Sequence, residues 1–299
     1  MAITISLKAA AEQTAASLGR LVGGEDSPAK VTVKVDNKTF TIPRILDLVP
    51  DEETLRDWFL YITDRAGPKA AEWRRVDTVS TSNVVCVQDF TNPPLADEYV
   101  QLYSILTPDQ WRLAVKTALA NLYFEDRVEI TLASEQNLYT PAAGAEWLQS
   151  KGQILRYLFR DTSSGATNIT EESVGFIRPI EEDNALKFYL PNLSSSVTNI
   201  KLIVVARHPY EAPANDAATT TCPAPLLKAQ AKWEALMLIR EYLGAAKAKQ
   251  LFGMAMVVAE QEMSKQRARW LPMGTFQDLR EEEPWLGVDT AGIPTEWSW

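Results

Sequence analysis

Residues 200–244 read IKLIVVARHPYEAPANDAATTTCPAPLLKAQAKWEALMLIREYLG, and three kinds of chain follow one another within them. Ile200–Ala206 is apolar on both faces, the pattern of a central strand covered on both sides of its sheet. From His208-Pro209 through Thr221 the composition turns to Ala, Pro, Asn and Thr, which predicts a crossing loop. Pro223 and Pro225 then open a helix, because a missing N–H costs little in a first helical turn. The helix is expected to run to Leu243 and stop at Gly244. Leu227, Ala231, Ala235, Leu238 and Tyr242 share one stripe of it, and Leu236, Ile239 and Leu243 a second beside it. A helix this apolar is expected to be buried broadly, either centrally or against another subunit.

Downstream, Ala245–Trp270 predicts a second helix, with Ala248, Phe252, Ala255, Ala259, Met263 and Trp270 on one face. Glu260, Glu262, Lys265, Gln266, Arg267 and Arg269 fall on its polar side, acids before bases, as the helix dipole favours. Residues 271–299 carry Pro272, Gly274, Pro284, Gly287, Gly292 and Pro294, which oppose regular structure. The same stretch holds Phe276, Trp285, Leu286, Trp297 and Trp299. Disordered segments are poor in aromatics. These five are therefore expected to anchor an extended arm in pockets of this chain or a neighbour.

Upstream, residues 128–206 are expected to be β-rich. The candidate strands are Val128–Leu132, Ile154–Phe159, Gly175–Ile177, Ala185–Leu190 and Ile200–Ala206, with turn-forming clusters between them. Thr107-Pro108-Asp109-Gln110 is a capping box with proline in the first turn, so a helix should follow to about Phe124. Trp111, Val115, Ala118 and Leu122 share its face. In residues 1–106 the pattern predicts a helix over 6–22 ending at Gly23-Gly24, and a hairpin over 30–42 turning at Asp36-Asn37-Lys38. Val31, Val33 and Val35 of that hairpin should face one way. A helix is expected over 51–66, with acids at its start. Residues 73–90 read as strand or irregular chain. The whole is an α+β chain. A β-rich middle is followed by a C-terminal antiparallel helix pair, with an extra N-terminal α+β region and an irregular C-terminal arm.

The chain has 299 residues, 46% hydrophobic and 23% charged, ordinary values for a packed protein. Its formal net charge is −9. That opposes sequence-blind nucleic-acid binding, which needs a surplus of Lys and Arg. An acidic lining would instead repel phosphates and let a duplex slide past. Two cysteines, Cys86 and Cys222, match no zinc spacing and form no disulfide framework. No apolar run reaches the roughly 18 residues of a membrane span. The start lacks the pattern of a secretory signal.

Catalytic motifs are missing from the sequence. The single histidine, His208, has no His/Cys/acid partner at metal-ligand spacing. Gly23-Gly24 is followed by Glu25-Asp26, acids that would repel a phosphate. No Gly-x-Ser-x-Gly elbow occurs. Carboxylate pairs at Glu52-Glu53, Glu171-Glu172, Glu181-Glu182-Asp183 and Glu281–Glu283 fall in turn or helix-start contexts, where solvation explains them. The basic spots are Trp73-Arg74-Arg75 and Lys265–Arg269. Each is short, and the second reads as a solvated helix face that could also meet DNA or an acidic partner. No catalytic residue, metal or cofactor is expected.

The order of elements from Thr107 to Trp270 resembles the head–tail adaptor (neck or connector) proteins of tailed bacteriophages, the tail tubular protein A type included. The residues that carry it are PDQWRLAVKTALANLYF, the β-rich insert introduced by Asn137-Leu138-Tyr139-Thr140-Pro141, and the strand IKLIVVARHPYEAP. The helices CPAPLLKAQAKWEALMLIREYLG and AKAKQLFGMAMVVAEQEM follow. The resemblance implies three parts: a region 1–106 of its own, an adaptor-like domain 107–270 with the insert 128–206 and helix pair 223–270, and the arm 271–299. It implies a virion protein made in the host cytoplasm, a ring of identical subunits, typically dodecameric, lying beneath the portal and around passing double-stranded DNA. Partners would be the ring itself, the portal protein and tail or nozzle proteins, with no membrane. Phe276, Trp285, Leu286, Trp297 and Trp299 would dock the arm. Lys265, Arg267, Arg269, Leu238, Tyr242 and Phe252 would line the channel or the subunit interface. Two alternatives are another neck or tail-terminator ring protein, and a carbohydrate- or host-binding module using Tyr139, Trp147, Tyr157 and Phe159.

Overall fold

The computed structural model describes residues 4–23, 29–43, 58–62, 72–80, 82–133, 136–141, 145–161, 169–171, 177–182, 185–190, 200–213, 215 and 217–270. It is an α+β protein made of two compact units. The first joins residues 1–122 to 210–270, and the second spans Tyr123–Pro209.

In the first unit, helix α1 (Leu7–Ser17) starts at Ser6, whose side chain accepts from Ala9 N at 3.2 Å. It ends earlier than the sequence predicts. Gly19 (φ 65) turns the chain, and Leu21–Val22 becomes strand β1. Gly23 serves that strand and not a helix end: its φ is 90, and a Cβ there would collide with the Val100 carbonyl.

Seven further strands complete the sheet: β2 (Ala29–Lys30), β3 (Val33–Lys34), β4 (Thr39–Thr41), β5 (Trp58–Ile62), β6 (Glu72–Ser80), β7 (Asn83–Cys86) and β8 (Tyr99–Ser104). Their order is β1-β8-β5-β6-β7-β4-β3, with β2 also on β8, and the pairings are antiparallel. The hairpin at Asp36 is present, with Asp36 Oδ1 accepting from the backbone N–H of Lys38 and Thr39. Its valines do not share a buried face, however. Val31 is buried, whereas Val33 and Val35 are exposed where β3 forms the sheet edge.

The helix expected over 51–66 is not found where the chain is described. Residues 58–62, WFLYI, form β5, buried along its length between β8 and β6. Four of the five residues, Trp58, Phe59, Tyr61 and Ile62, are β-formers, and burial along the whole run outweighs the acids that precede it. The rest of that stretch lies outside the described residues.

Helix α2 (Pro108–Ala120) has the capping box: Gln110 N donates to Thr107 Oγ1 at 3.2 Å and Thr107 N to Gln110 Oε1 at 2.8 Å. It stops at Asn121, short of Phe124, because Tyr123 already belongs to a strand. Helices α3 (Ala224–Leu243) and α4 (Ala245–Trp270) follow the second unit. Gly244 (φ 80) makes the break between them. α1 packs on α2 and α3, α2 on α3, and α3 on α4. The division expected between residues 106 and 107 therefore falls inside this unit. α1, α2 and α3, which pack on one another, bury Leu7, Ala11, Trp111, Val115, Leu227 and Leu236.

The second unit carries β9 (Tyr123–Thr131), β10 (Leu138–Tyr139), β11 (Ile154–Asp161), β12 (Ile169–Glu171), β13 (Arg178–Glu182), β14 (Ala185–Tyr189) and β15 (Ile200–Pro209). They form two antiparallel sheets, β12-β11-β15-β9 and β10-β14-β13. β15 is internal, as its apolar run predicts, with Leu202, Val204 and Ala206 in the main core and Ile203 and Val205 on the opposite face. The β9–β15 ladder continues out to Tyr123↔Pro209, so the insert is longer at both ends than 128–206. The strand expected at Gly175–Ile177 begins at Arg178, and most of the expected segment lies outside the described residues.

Candidate functional site

Two places in the first unit gather polar chemistry or exposed apolar surface. One is a cleft of about 500 Å³ where β5 and β6 meet the start of α2. Strand alternation along β6 sets Glu72 and Arg74 on one side and Trp73 and Arg75 on the other. Trp73 Nε1 donates to Asp109 Oδ2 at 2.8 Å, and Asp109 sits in the first turn of α2, where the helix dipole favours an acid. Arg112, one turn on, lies 3.5 Å from Asp109. It also donates to the Tyr61 hydroxyl and lies over that ring, 5.2 Å from its centroid.

Arg74 bonds Glu72 and donates to the carbonyls of Asp89 (2.9 Å) and Trp73 (2.8 Å). Burial raises the Glu72 pKa, but backbone donation from Thr91 (3.0 Å) and Asn92 (3.1 Å), with the charge of Arg74, outweighs it, and the pKa is lowered. Two of the cleft's cations, Arg74 and Arg112, are thus paired with the carboxylates of Glu72 and Asp109. This chemistry pins α2 and the loop after β7 onto the sheet. Sequence reading singled out Trp73-Arg74-Arg75 but missed Tyr61, Glu72, Asp109 and Arg112. The i,i+3 spacing of Asp109 and Arg112 was the only local signal.

The other place is the α3–α4 hairpin. Phe252 is buried beneath the Arg20 guanidinium, 4.9 Å from the ring centroid, so it serves the chain's own core. Burial lowers the Arg20 pKa. Leu238 is half-buried. Tyr242 is 52% exposed. Lys265 and Arg269 are exposed, and Arg269 lies over Trp270, 5.6 Å from its centroid.

Arg267 is half-buried and structural. Its Nε donates to Gln230 Oε1 at 3.1 Å, and its Nη2 reaches the Asn121 carbonyl at 3.5 Å. Gln230 and Asn121 in turn donate to Glu234 Oε1 at 2.7 and 2.8 Å. This network ties the end of α4 across α3 to the end of α2. Met254 (80% exposed), Leu251 (56%), Val257 (50%) and Val258 (48%) form an apolar stripe on the outer side of α4. The face that the sequence predicts as shared, with Ala248, Phe252 and Ala259, is the buried one, and the sequence reading did not name this second stripe. Phe276, Trp285, Leu286, Trp297 and Trp299 lie outside the described residues, as do Glu52-Glu53 and Glu281–Glu283.

His208 stacks between Phe124 (4.8 Å) and Trp147 (4.5 Å) at the end of β15. Cys86 and Cys222 are buried thiols, both pushed up to about 12 by burial. Among the described residues no group of His, Cys, Asp or Glu is placed to hold a metal, and no helix is long and apolar enough to cross a membrane. Tyr139 and Tyr157 lie in the core of the second unit, with Tyr139 Oη donating to the carbonyls of Ala133 or Gln136. Comparison with family models, curated proteins and solved structures finds no match.

Proposed function

We propose that the chain is a virion structural protein, the ring-forming adaptor that joins portal to tail in a tailed phage and surrounds its DNA. The observation that carries this reading is the inserted architecture. Helix α2 leads into a separate β unit, and the chain returns from it to the point of departure, where Tyr210 N donates to the Leu122 carbonyl at 3.1 Å. The helix pair then packs back on α2. Helix, β insert and helix pair thus occur in the order the adaptor resemblance rests on. The formal charge of −9 supports it, since an acidic wall lets a duplex pass without holding it.

In this reading Lys265 and Arg269 remain the polar groups offered to the channel or a neighbouring subunit, and Arg267 acts as a brace. The arm 271–299, with Trp285, Trp297 and Trp299, docks on the portal. The test is co-expression with the portal protein from the same genome, followed by negative-stain imaging. The expected result is a closed ring of this chain beneath the portal ring. Failure to co-purify with the portal, or co-purification with the tail-tube protein instead, overturns the adaptor reading.

A further inference from the structure

The outer side of α4 exposes four large apolar side chains next to one another. Leu251, Met254, Val257 and Val258 are 48–80% exposed over two turns. Leu251, Met254 and Val257 themselves line a groove of about 690 Å³, together with Arg240, Lys249 and Met256. We propose that this stripe is covered by α4 of a second copy of the chain, running antiparallel about a two-fold axis between Met254 and Ala255. The inference goes beyond the ring reading and does not rest on it. A two-fold contact uses the same patch on both copies and closes on itself, whereas a ring needs two different patches.

Charge selects the occupant and its direction. The stripe runs from Lys247 at one end to Glu262 at the other, fifteen positions or about 22 Å along the helix. Reversing the second helix about the stated point sets Leu251 opposite Val258 and Lys247 opposite Glu262. The two-fold then makes that charge pair twice. A parallel pair would set Lys247 against Lys247 and Glu262 against Glu262, and like charges across a helix pair are disfavoured. Lys247 is exposed. The Glu262 side chain is 47% exposed and meets Lys232 through Oε2 at 3.8 Å, so its other carboxylate oxygen can face a second cation. The groove gives room for side chains of the partner's stripe. A single helix face buries less than the roughly 1,200–2,000 Å² of a stable interface, so the pair should dissociate in the micromolar range.

Sedimentation velocity on the purified full chain, from about 5 to 100 µM, tests this. The expected result is a reversible monomer–dimer equilibrium. Met254→Asp should leave a monomer at every concentration, with unchanged circular dichroism because the side chain is already in solvent. Lys247→Glu and Glu262→Lys should each weaken the dimer roughly tenfold, and the double variant should restore it, as only an antiparallel pair allows. A monomer throughout for the unaltered chain, a dimer indifferent to Met254→Asp, or a double variant no better than the singles overturns the proposal. A ring-sized species that Met254→Asp disperses also overturns it, and leaves the ring reading standing.

Discussion

Helices α3 and α4 are neighbours joined by one glycine and both carry many alanines and large apolar residues, α3 mostly Leu and α4 mostly Val and Met, yet the structure uses them oppositely. α3 buries Ala224, Leu226, Leu227, Ala229, Ala231, Ala235, Leu236 and Ile239, because α1, α2 and α4 all pack on it. α4 buries only Ala248, Phe252 and Ala259, because α3 is its one substantial neighbour among the described elements. Apolar composition is therefore a poor guide to coverage. α3, packed by three helices, buries two stripes, whereas α4, packed by one, buries one apolar stripe and presents another.

The largest expected effects come from the covered side of this contrast. Leu236→Ala removes a fully buried side chain between packed helices and should cost about 2–5 kcal/mol. Phe252→Ala, on α4 but facing inward, should fall in the similar range of about 3–5 kcal/mol. It also takes away the ring beneath Arg20. Urea or thermal unfolding measures both. A cost for Leu236→Ala under about 1 kcal/mol would mean that α3 is not enclosed as described.

An intermediate effect is expected one layer below. Thr107 caps the helix on which α3 rests, through both arms of the capping box. Thr107→Ala should cost about 1 kcal/mol, and Thr107→Ser should restore most of it. A loss as large as that of Leu236→Ala would show that the cap governs the docking of α3 and not only the end of α2.

The same contrast explains which parts of the fold the sequence made legible. Features set by a few neighbouring residues were readable: the capping box at Thr107, the break at Gly244, the turn at Asp36 and the doubly covered strand at Ile200–Ala206. Features set by distant coverage were not. Residues 58–62 follow an acidic helix-like opening, and their β-forming side chains become a strand with β8 and β6 on either side. Val33 and Val35 alternate correctly but sit at a sheet edge. Phe252 and Leu251 are adjacent apolar letters on one helix, and only the position of α3 decides that the first is core and the second surface. The polar network was equally hidden. Gln230, Glu234 and Arg267 come together with Asn121 across more than a hundred residues, and no local spacing announces them.

The smallest stability effect gives the sharpest reading of α4. Leu251→Ala deletes the same atoms as Leu236→Ala, but from a side chain that is 56% exposed. At low protein concentration, where the chain is monomeric, it should change unfolding free energy by no more than about 0.5 kcal/mol. Helix propensity works slightly in alanine's favour. At high concentration the two variants should diverge in a second way. If the stripe is an interface, the unaltered chain gains stability with concentration because association favours the folded form, and Leu251→Ala loses that gain while Leu236→Ala keeps its proportion of it. A concentration-dependent melting temperature that Leu251→Ala flattens therefore separates surface kept for a partner from surface left over by composition. A melting temperature independent of concentration in both chains would place Leu251 among the leftovers.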